Sequence, residues 1–434
     1  MSKATMRFET ALDFLNGEDK DLEQALLWLQ KTFDVVESPE EVSEMAKQLA
    51  SASDIDPAFK TKFDSLAGKN QLEMLEKMIE DGAYDKAEPI LLELAEAGDA
   101  EAMYLLGDLY GEKDDDENAD KWMLLAYENG SATAKRMAKS VFEIAEKNAE
   151  ADDAHWASLY TLAGWLATGK MCHGWPCEKN VLRAVELYEK VFAAGQLSAA
   201  IDIAHLYDDE DSGIKDDRKQ FEWWLKAAKK GHSGAQFSVG ACYLIGEGVE
   251  KDGAKAVEWF YKAAKQGNES AMHNLGDCFL SGQGVSEDMD QAVVWYAKAA
   301  KAGNIESMER LGELMIGPDS EVKDVEKGVE WLTKAAEAGN ADAQFGLGLL
   351  YLDLDDLGTV GRDVIAGLDW LKKAVAQGNG NAEVFLGVCY AQGLGVEKDL
   401  SKAKALAGKA LEHGVDSKLD EMARDLYKAL GGEV

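Results

Sequence analysis

Proline is scarce in this chain, five residues in 434, and few breakers therefore interrupt an abundance of Ala, Leu, Glu and Lys. That mix favours helix along the whole length. Long apolar runs are also missing: no stretch approaches the roughly 18 residues that a membrane span requires, so membrane insertion is excluded. Strand-like alternation is absent too, and with it any strand-to-helix elbow on which a nucleophilic Ser or Cys could sit. Histidines number six, scattered at His155, His173, His205, His232, His273 and His413, with no paired-His metal motif among them. His205 sits at helix-core spacing beside Leu206 and Tyr207 and is expected to be packed. These absences predict no catalytic residues, no cofactor and no metal. Five cysteines are too few for a disulfide scaffold, and Met1 to Asp21 lack the apolar core of a secretory leader, so a reducing cytoplasm is the expected location.

Cations are in deficit: 46 Lys and Arg against 81 Asp and Glu give a formal charge of −35, of which −20 falls in the first 120 residues. Such a surface repels phosphates, which argues against nucleic acid and anionic lipid as partners. A basic protein is the partner this field would attract.

Glycine is what the chain has in an ordered supply. Gly195, Gly231, Gly267, Gly303, Gly339, Gly378 and Gly414 recur every 36 residues, with one step of 39. Nine residues on comes a second small residue in most units: Ala204, Gly240, Gly276, Gly312, Gly348, Gly387. Aligned on the first glycine, each unit reads as a helix pair. The glycine ends the preceding helix in the left-handed conformation, and the next residue, such as Asn268, caps the helix that follows. Ala271, Leu275, Cys278 and Phe279 form its buried stripe, and Gly276 leaves room for a close neighbour. Cys242, Cys278 and Cys389 share a slot with Leu206, Leu314 and Leu350, which marks them as small core fillers. G-x-G-V loops follow, at 246–249, 282–285 and 393–396; they succeed a helix rather than a strand, so they are turns and not phosphate cradles. The second helix opens near Asp252, Asp288, Asp324, Asp363 or Asp399. It carries Trp223, Trp259, Trp295, Trp331 or Trp370, and three residues later Lys226, Lys262, Lys298, Lys334 or Lys373. The tryptophans beside Ala-Ala pairs predict packing between units rather than a ladder for stacking ligands.

This register closely resembles the Sel1-like repeat family, tetratricopeptide-related units of about 36 residues. Its diagnostic elements, A-x-x-x-L-G, G-x-G-V and A-x-x-W-x-x-K-A-A, recur in register through residues 195–414. Residues 98–130 match with a shortened acidic loop at Gly111–Glu117, and Trp28 with Lys31 looks like a worn second helix. The resemblance implies an all-α, right-handed superhelical solenoid of antiparallel helix pairs that mediates protein–protein contacts without catalysis. Four segments follow: degenerate acidic repeats (1–97); irregular repeats with an extra helix and a long loop at 168–178 (98–194); six regular repeats (195–414); and a C-terminal capping helix (415–434).

Two segments depart from the repeat. Between Gly130 and Gly195 lie too few residues for two units and too many for one, which predicts three helices at about 132–148, 153–167 and 179–194. The loop Gly169–Cys177 between the last two holds Cys172, His173 and Cys177, open to readings as a metal site, a disulfide or an ordinary loop. Met171 and Trp175 on the same loop are candidate contact anchors, with packing back onto the helices as the alternative. The other departure, Leu352 to Arg362, is a three-residue insertion that lacks the ligand spacing of a calcium loop.

The expected function is a scaffold or adaptor that holds a protein or peptide on the concave face lined by first helices. An immunity protein neutralising a basic toxin and a chaperone-like protein for secreted cargo are the alternatives. Positions on first helices that vary between units are the candidate contacts: Gln236, Phe237, His273, Asn274, Glu309, Arg310, Gln344 and Phe345.

Overall fold

A computed structural model describes residues 2–16, 21–51, 55–151, 154–317, 323–352 and 363–432. Among these are twenty-three α-helices and no strand, and they divide into two units, Met1–Ala194 and Gly195–Val434. The insertion at 353–362 lies outside the described residues.

The second unit is a stack of helix pairs: Ser198–Asp208 with Asp217–Lys229, Ser233–Ile245 with Gly253–Ala264, Glu269–Ser281 with Met289–Lys301, Ile305–Ile316 with Val325–Glu337, Ala341–Leu352 with Val364–Ala376, and Gly380–Gln392 with Leu400–His413. Each local signal finds its use. Gly267 takes φ +88°, which ends one helix, and Asn268 Oδ1 accepts the Ala271 N–H at 2.8 Å to start the next. Asp252 Oδ1 accepts from Lys255 N at 3.1 Å to start the second helix of its pair, and Asp288, Asp324, Asp363 and Asp399 cap theirs in the same way.

The second small slot is where the two helices of a pair touch. A Cβ on Gly240, Gly276, Gly312 or Gly348 would come within 2.6 to 2.7 Å of Phe260, Tyr296, Leu332 or Leu371, so one large side chain fills the space that each glycine leaves. The second glycine of the G-x-G-V loop serves the contact between pairs: a Cβ on Gly284 would lie 2.1 Å from the Gly253 carbonyl oxygen of the preceding pair. The thiols of Cys242, Cys278 and Cys389 are buried and pushed up to about 11 by desolvation, which suits core fillers and leaves them unreactive.

The tryptophan column packs between pairs. Trp295 lies against an apolar cluster that joins Val257 and Phe260 of the preceding pair to Leu275 of its own, edge-on to Tyr261 at 5.3 Å. Each ring is covered by the lysine three residues on, with ammonium-to-centroid distances of 3.3 to 4.2 Å in the five regular units that carry the pair. These faces are therefore closed to a stacking ligand. His205 departs from expectation: it stays exposed, with only its ring edge against Trp224 at 5.1 Å, because the core slot belongs to Tyr207. The helix Ser417–Ala429 closes this unit, with Ala423 packed on Val384 and Ala410.

The first unit holds ten helices: Lys3–Asn16, Leu22–Phe33, Pro39–Ser51, Pro57–Glu80, Tyr84–Glu96, Ala100–Glu112, Asp116–Glu128, Ala132–Glu150, Trp156–Thr168 and Val181–Ala193. Its amino-terminal core gathers around Phe8, Phe33 and Phe63, with ring centroids 5.3 and 5.6 Å apart. A second core runs from Leu75 to Trp175. The helix Pro57–Glu80 contributes to both.

The loop after Trp156–Thr168 corrects one expectation. Met171 and Trp175 are not presented to a partner; they are 7% and 3% exposed and belong to the second core. Met171 N donates to Trp175 O at 2.7 Å, which folds the loop back, and the indole Nε1–H donates to Met123 O at 3.1 Å. A buried indole needs an acceptor, and the carbonyl of the neighbouring helix supplies it. Cys172 and Cys177 are free thiols, with Cys177 Sγ donating to Trp165 O at 3.3 Å. His173 Nδ1 lies 2.6 Å from Asp120 Oδ1.

Candidate functional site

The candidate residues sit on the first helices of successive pairs in the second unit, and their neighbours sort them into two groups. Gln236 and Gln344 belong to the framework. Gln236 Nε2 donates to Ala228 O at 3.2 Å, while its Oε1 accepts from Gln266 Nε2 at 2.8 Å. Gln344 repeats the arrangement with Ala336 O at 3.0 Å and Gln377 Nε2 at 2.9 Å. Both are buried, so neither offers a partner anything; each side chain satisfies a helix-end carbonyl and latches one pair to the next. In the last unit the same slot holds Glu383, 1% exposed, whose carboxylate oxygens lie 3.0 and 3.1 Å from His413 Nδ1.

Phe237 and Phe345 are half-buried, 5.8 Å from Phe260 and 5.6 Å from Phe385 respectively. Asn274 turns back on its own helix, its Nδ2 donating to Ser270 O at 3.0 Å.

His273, Glu309 and Arg310 enter a charged network that spans three helices. His273 Nδ1 lies 2.8 Å from Ser307 Oγ on the next first helix, and its Nε2 lies 3.4 Å from Asp277 Oδ2 and 4.0 Å from Glu306 Oε2. Asp277 also accepts from the buried Tyr296 hydroxyl at 2.5 Å; burial first, and this carboxylate second, hold that phenol far above its ordinary range. Arg310 is exposed and its Nη1 donates to Glu313 Oε2 at 3.2 Å. Glu309 accepts from Asn340 Nδ2 at 3.3 Å. Its carboxyl is pushed up to about 6, chiefly by desolvation, then by Glu313 and Asp342 nearby. Five carboxylates thus meet one arginine and one imidazole, between a phenylalanine on either side.

Variation among units pointed to His273, Glu309 and Arg310 but passed over Asp277, Glu306, Glu313 and Asp342. A signal for two of them existed: Asp277 and Glu313 stand one helical turn beyond His273 and Glu309 and share their face. Among the described residues no group of three or more His, Cys, Asp or Glu could hold a metal ion.

Comparison with known proteins gives this architecture a family. The Sel1 repeat profile matches nine segments: residues 12–33, 100–131, 162–195, 197–232, 233–268, 269–304, 305–340, 341–379 and 380–415. The match at 162–195 resolves the 65-residue step from Gly130 to Gly195 into one repeat preceded by a helix outside the pattern. Among solved structures, a protective antigen of uropathogenic Escherichia coli strains, displaying an SLR fold, is 25% identical; the alignment covers 98% of this chain and 84% of that one, with a TM-score of 0.51. A Sel1 repeat protein from Oxalobacter formigenes is 32% identical over 54% of this chain and 94% of its own, with a TM-score of 0.48. The immunity protein Pa5087 from Pseudomonas aeruginosa is 24% identical over 54% and 82%, with a TM-score of 0.32. No curated protein matches the chain.

Proposed function

This chain belongs to the Sel1 repeat family, whose members generally mediate protein–protein interaction, and we propose that it is a non-catalytic scaffold or adaptor. Its partner would bind along the first helices Glu269–Ser281, Ile305–Ile316 and Ala341–Leu352, the concave lining of the repeat stack in this reading. The observation that carries the proposal is the network of His273, Asp277, Glu306, Glu309, Arg310, Glu313 and Asp342. Core packing does not call for so many charges on one face, and desolvation, reinforced by Glu313 and Asp342 and only partly offset by Arg310, has pushed the Glu309 carboxyl up to about 6, where a second cation would favour its charged form. A partner segment carrying Lys or Arg would supply that cation, while Phe237 and Phe345 offer apolar contact on either side.

The test is affinity capture from the native host by the full chain and by the triple variant Glu309→Ala, Arg310→Ala, Glu313→Ala, with circular dichroism as a control. Partners lost from the variant at unchanged helicity support the strip. Partners retained at unchanged helicity refute it. A second reading, an immunity protein for a basic toxin, is favoured by the charge of −20 in the first 120 residues. It predicts a single basic partner that is released as salt rises and that the triple variant still captures.

A further inference from the structure

The slot of Glu309 is filled on the first helices of four successive pairs by Phe237, His273, Glu309 and Phe345, so its chemistry changes along the row. The helices at the two ends offer almost no charge. Ser233–Ile245 carries none, and Ala341–Leu352 carries only Asp342. Phe345 is continued by the Phe385 ring at 5.6 Å, on a helix whose one acid, Glu383, is buried and paired with His413. The two helices between, Glu269–Ser281 and Ile305–Ile316, hold five carboxylates and one arginine. Arg310 is engaged by Glu313 at 3.2 Å, and His273 by Ser307 at 2.8 Å and Asp277 at 3.4 Å. The row thus runs apolar, internally satisfied, acidic, apolar.

Spacing selects the backbone of the occupant. Side chains of successive first helices touch, His273 on Ser307 and Phe345 on Phe385, and helices in such contact have axes about 8–10 Å apart. A polyproline-II segment turns once in about three residues of about 3.1 Å each, so every third side chain returns to one face about 9.3 Å further on. That pitch matches the step between helices. A β-strand returns to the same face after about 6.7 Å, which falls out of register, and among the described residues there is no strand edge for it to pair with. An α-helix needs a continuous apolar stripe, and the middle of this row is charged.

We propose that the segment held by this row is a polyproline-II stretch of a partner protein with three anchors in fixed register. An apolar residue sits against Phe237, a Lys or Arg six residues along sits against Glu309, and a second apolar residue three further along sits against Phe345. The proposal rests on the strip of the preceding section and adds the conformation and spacing of what binds there.

The probe is a synthetic proline-rich peptide of about 14 residues with Leu, Arg and Leu at i, i+6 and i+9, made in both chain orders. In the control the Arg is moved by one residue, a third of a turn off the face. Binding to the full chain is read by fluorescence anisotropy at about physiological salt. The expected result is that, in one chain order, the in-register peptide binds about tenfold or more tightly than its shifted control. The double variant Glu309→Gln, Glu313→Gln keeps side-chain size and should bring the two peptides to equal affinity. Equal affinity for the unaltered chain overturns the proposal; if the double variant then loses both peptides, the strip stands and only its spacing is wrong. Failure of every peptide to bind also overturns it, and capture of host proteins by the triple variant decides the strip separately.

Discussion

Replacing Trp175 with alanine separates an anchor from a core residue, because the two roles differ severalfold in what the substitution costs. A tryptophan buries on the order of 200 Å² on folding, which at about 25 cal/mol per Å² is worth about 5 kcal/mol. A compact unfolded chain already hides part of that area, which lowers the figure to about 3–4 kcal/mol. Truncation also strips Met123 O of its indole donor at 3.1 Å, a further ~1 kcal/mol unless water replaces it. The loop Gly169–Cys177 can collapse into some of the space, so the expected loss is about 3–4 kcal/mol. Trp175→Phe keeps most of the area and should lose only about 1–2 kcal/mol. Urea unfolding followed by circular dichroism gives the totals. Hydrogen exchange of the helix Asp116–Glu128 shows where the loss falls, which matters in a repeat stack that need not unfold in one step. A loss below about 0.5 kcal/mol, the range of an exposed site, with exchange unchanged in that helix, would refute the packing argument.

The Gln latches make a second case: Gln344→Leu leaves Gln377 Nε2 without its acceptor and takes one of two donors from Ala336 O, which keeps the Gly339 N–H at 3.1 Å, and should cost about 1–2 kcal/mol in urea melts, with partner capture unchanged. Gly276→Ala drives a Cβ to 2.6 Å from the Tyr296 ring and should destabilise by about 1–3 kcal/mol, with the same assay as the check. Lys262→Met removes an ammonium 3.7 Å from the Trp259 centroid and should cost no more than about 1 kcal/mol, a loss that added salt does not abolish in the parent. Glu309 predicts a pH effect: its carboxyl is raised to about 6 from 4.5, so the folded state binds the proton more tightly, and this residue's contribution falls as pH rises through that window. The difference between the parent and Glu309→Gln, measured between about pH 4.5 and 7, should show that loss, at most about 2 kcal/mol and less after solvent screening.

The regular units were legible because helix pairing repeats its geometry. A glycine every 36 residues, an aspartate at the second helix start and a glycine opposite a large ring answer to local conformation and one contact each. The loop at 169–177 was legible only in outline. Whether Trp175 faced outward depended on the Met123 carbonyl 52 residues earlier, and no local pattern records that pairing.

The first-helix candidates show why variation alone misleads. Gln236, Met272, Met308, Gln344 and Glu383 fill one slot, and the residues preceding the next glycine are Gln266, Ala302, Ala338, Gln377 and His413. Amide stands with amide, Met with Ala, and carboxylate with imidazole. The slot varies because its partner one repeat on varies with it, and the hydrogen bonds of Gln236, Gln344 and Glu383 are the physical content of that covariation. The pairing was readable in the chain by comparing slots two at a time rather than one. Applied to the face of Glu309 the same comparison gives the opposite answer. The matching positions in the regular units are Ile201, Phe237, His273, Phe345 and Val384; one of them has a matched slot on the next helix, where Ser307 stands opposite His273 and Ala235, Ala271, Ala343 and Ala382 stand opposite the others, while Glu309 faces the same alanine as its apolar counterparts. Variation without an internal partner is the pattern expected where the constraint comes from another molecule; by that reasoning the proposed strip rests on Glu309 and Arg310, whereas Ser307 accounts for His273 as Gln266 and Gln377 account for Gln236 and Gln344.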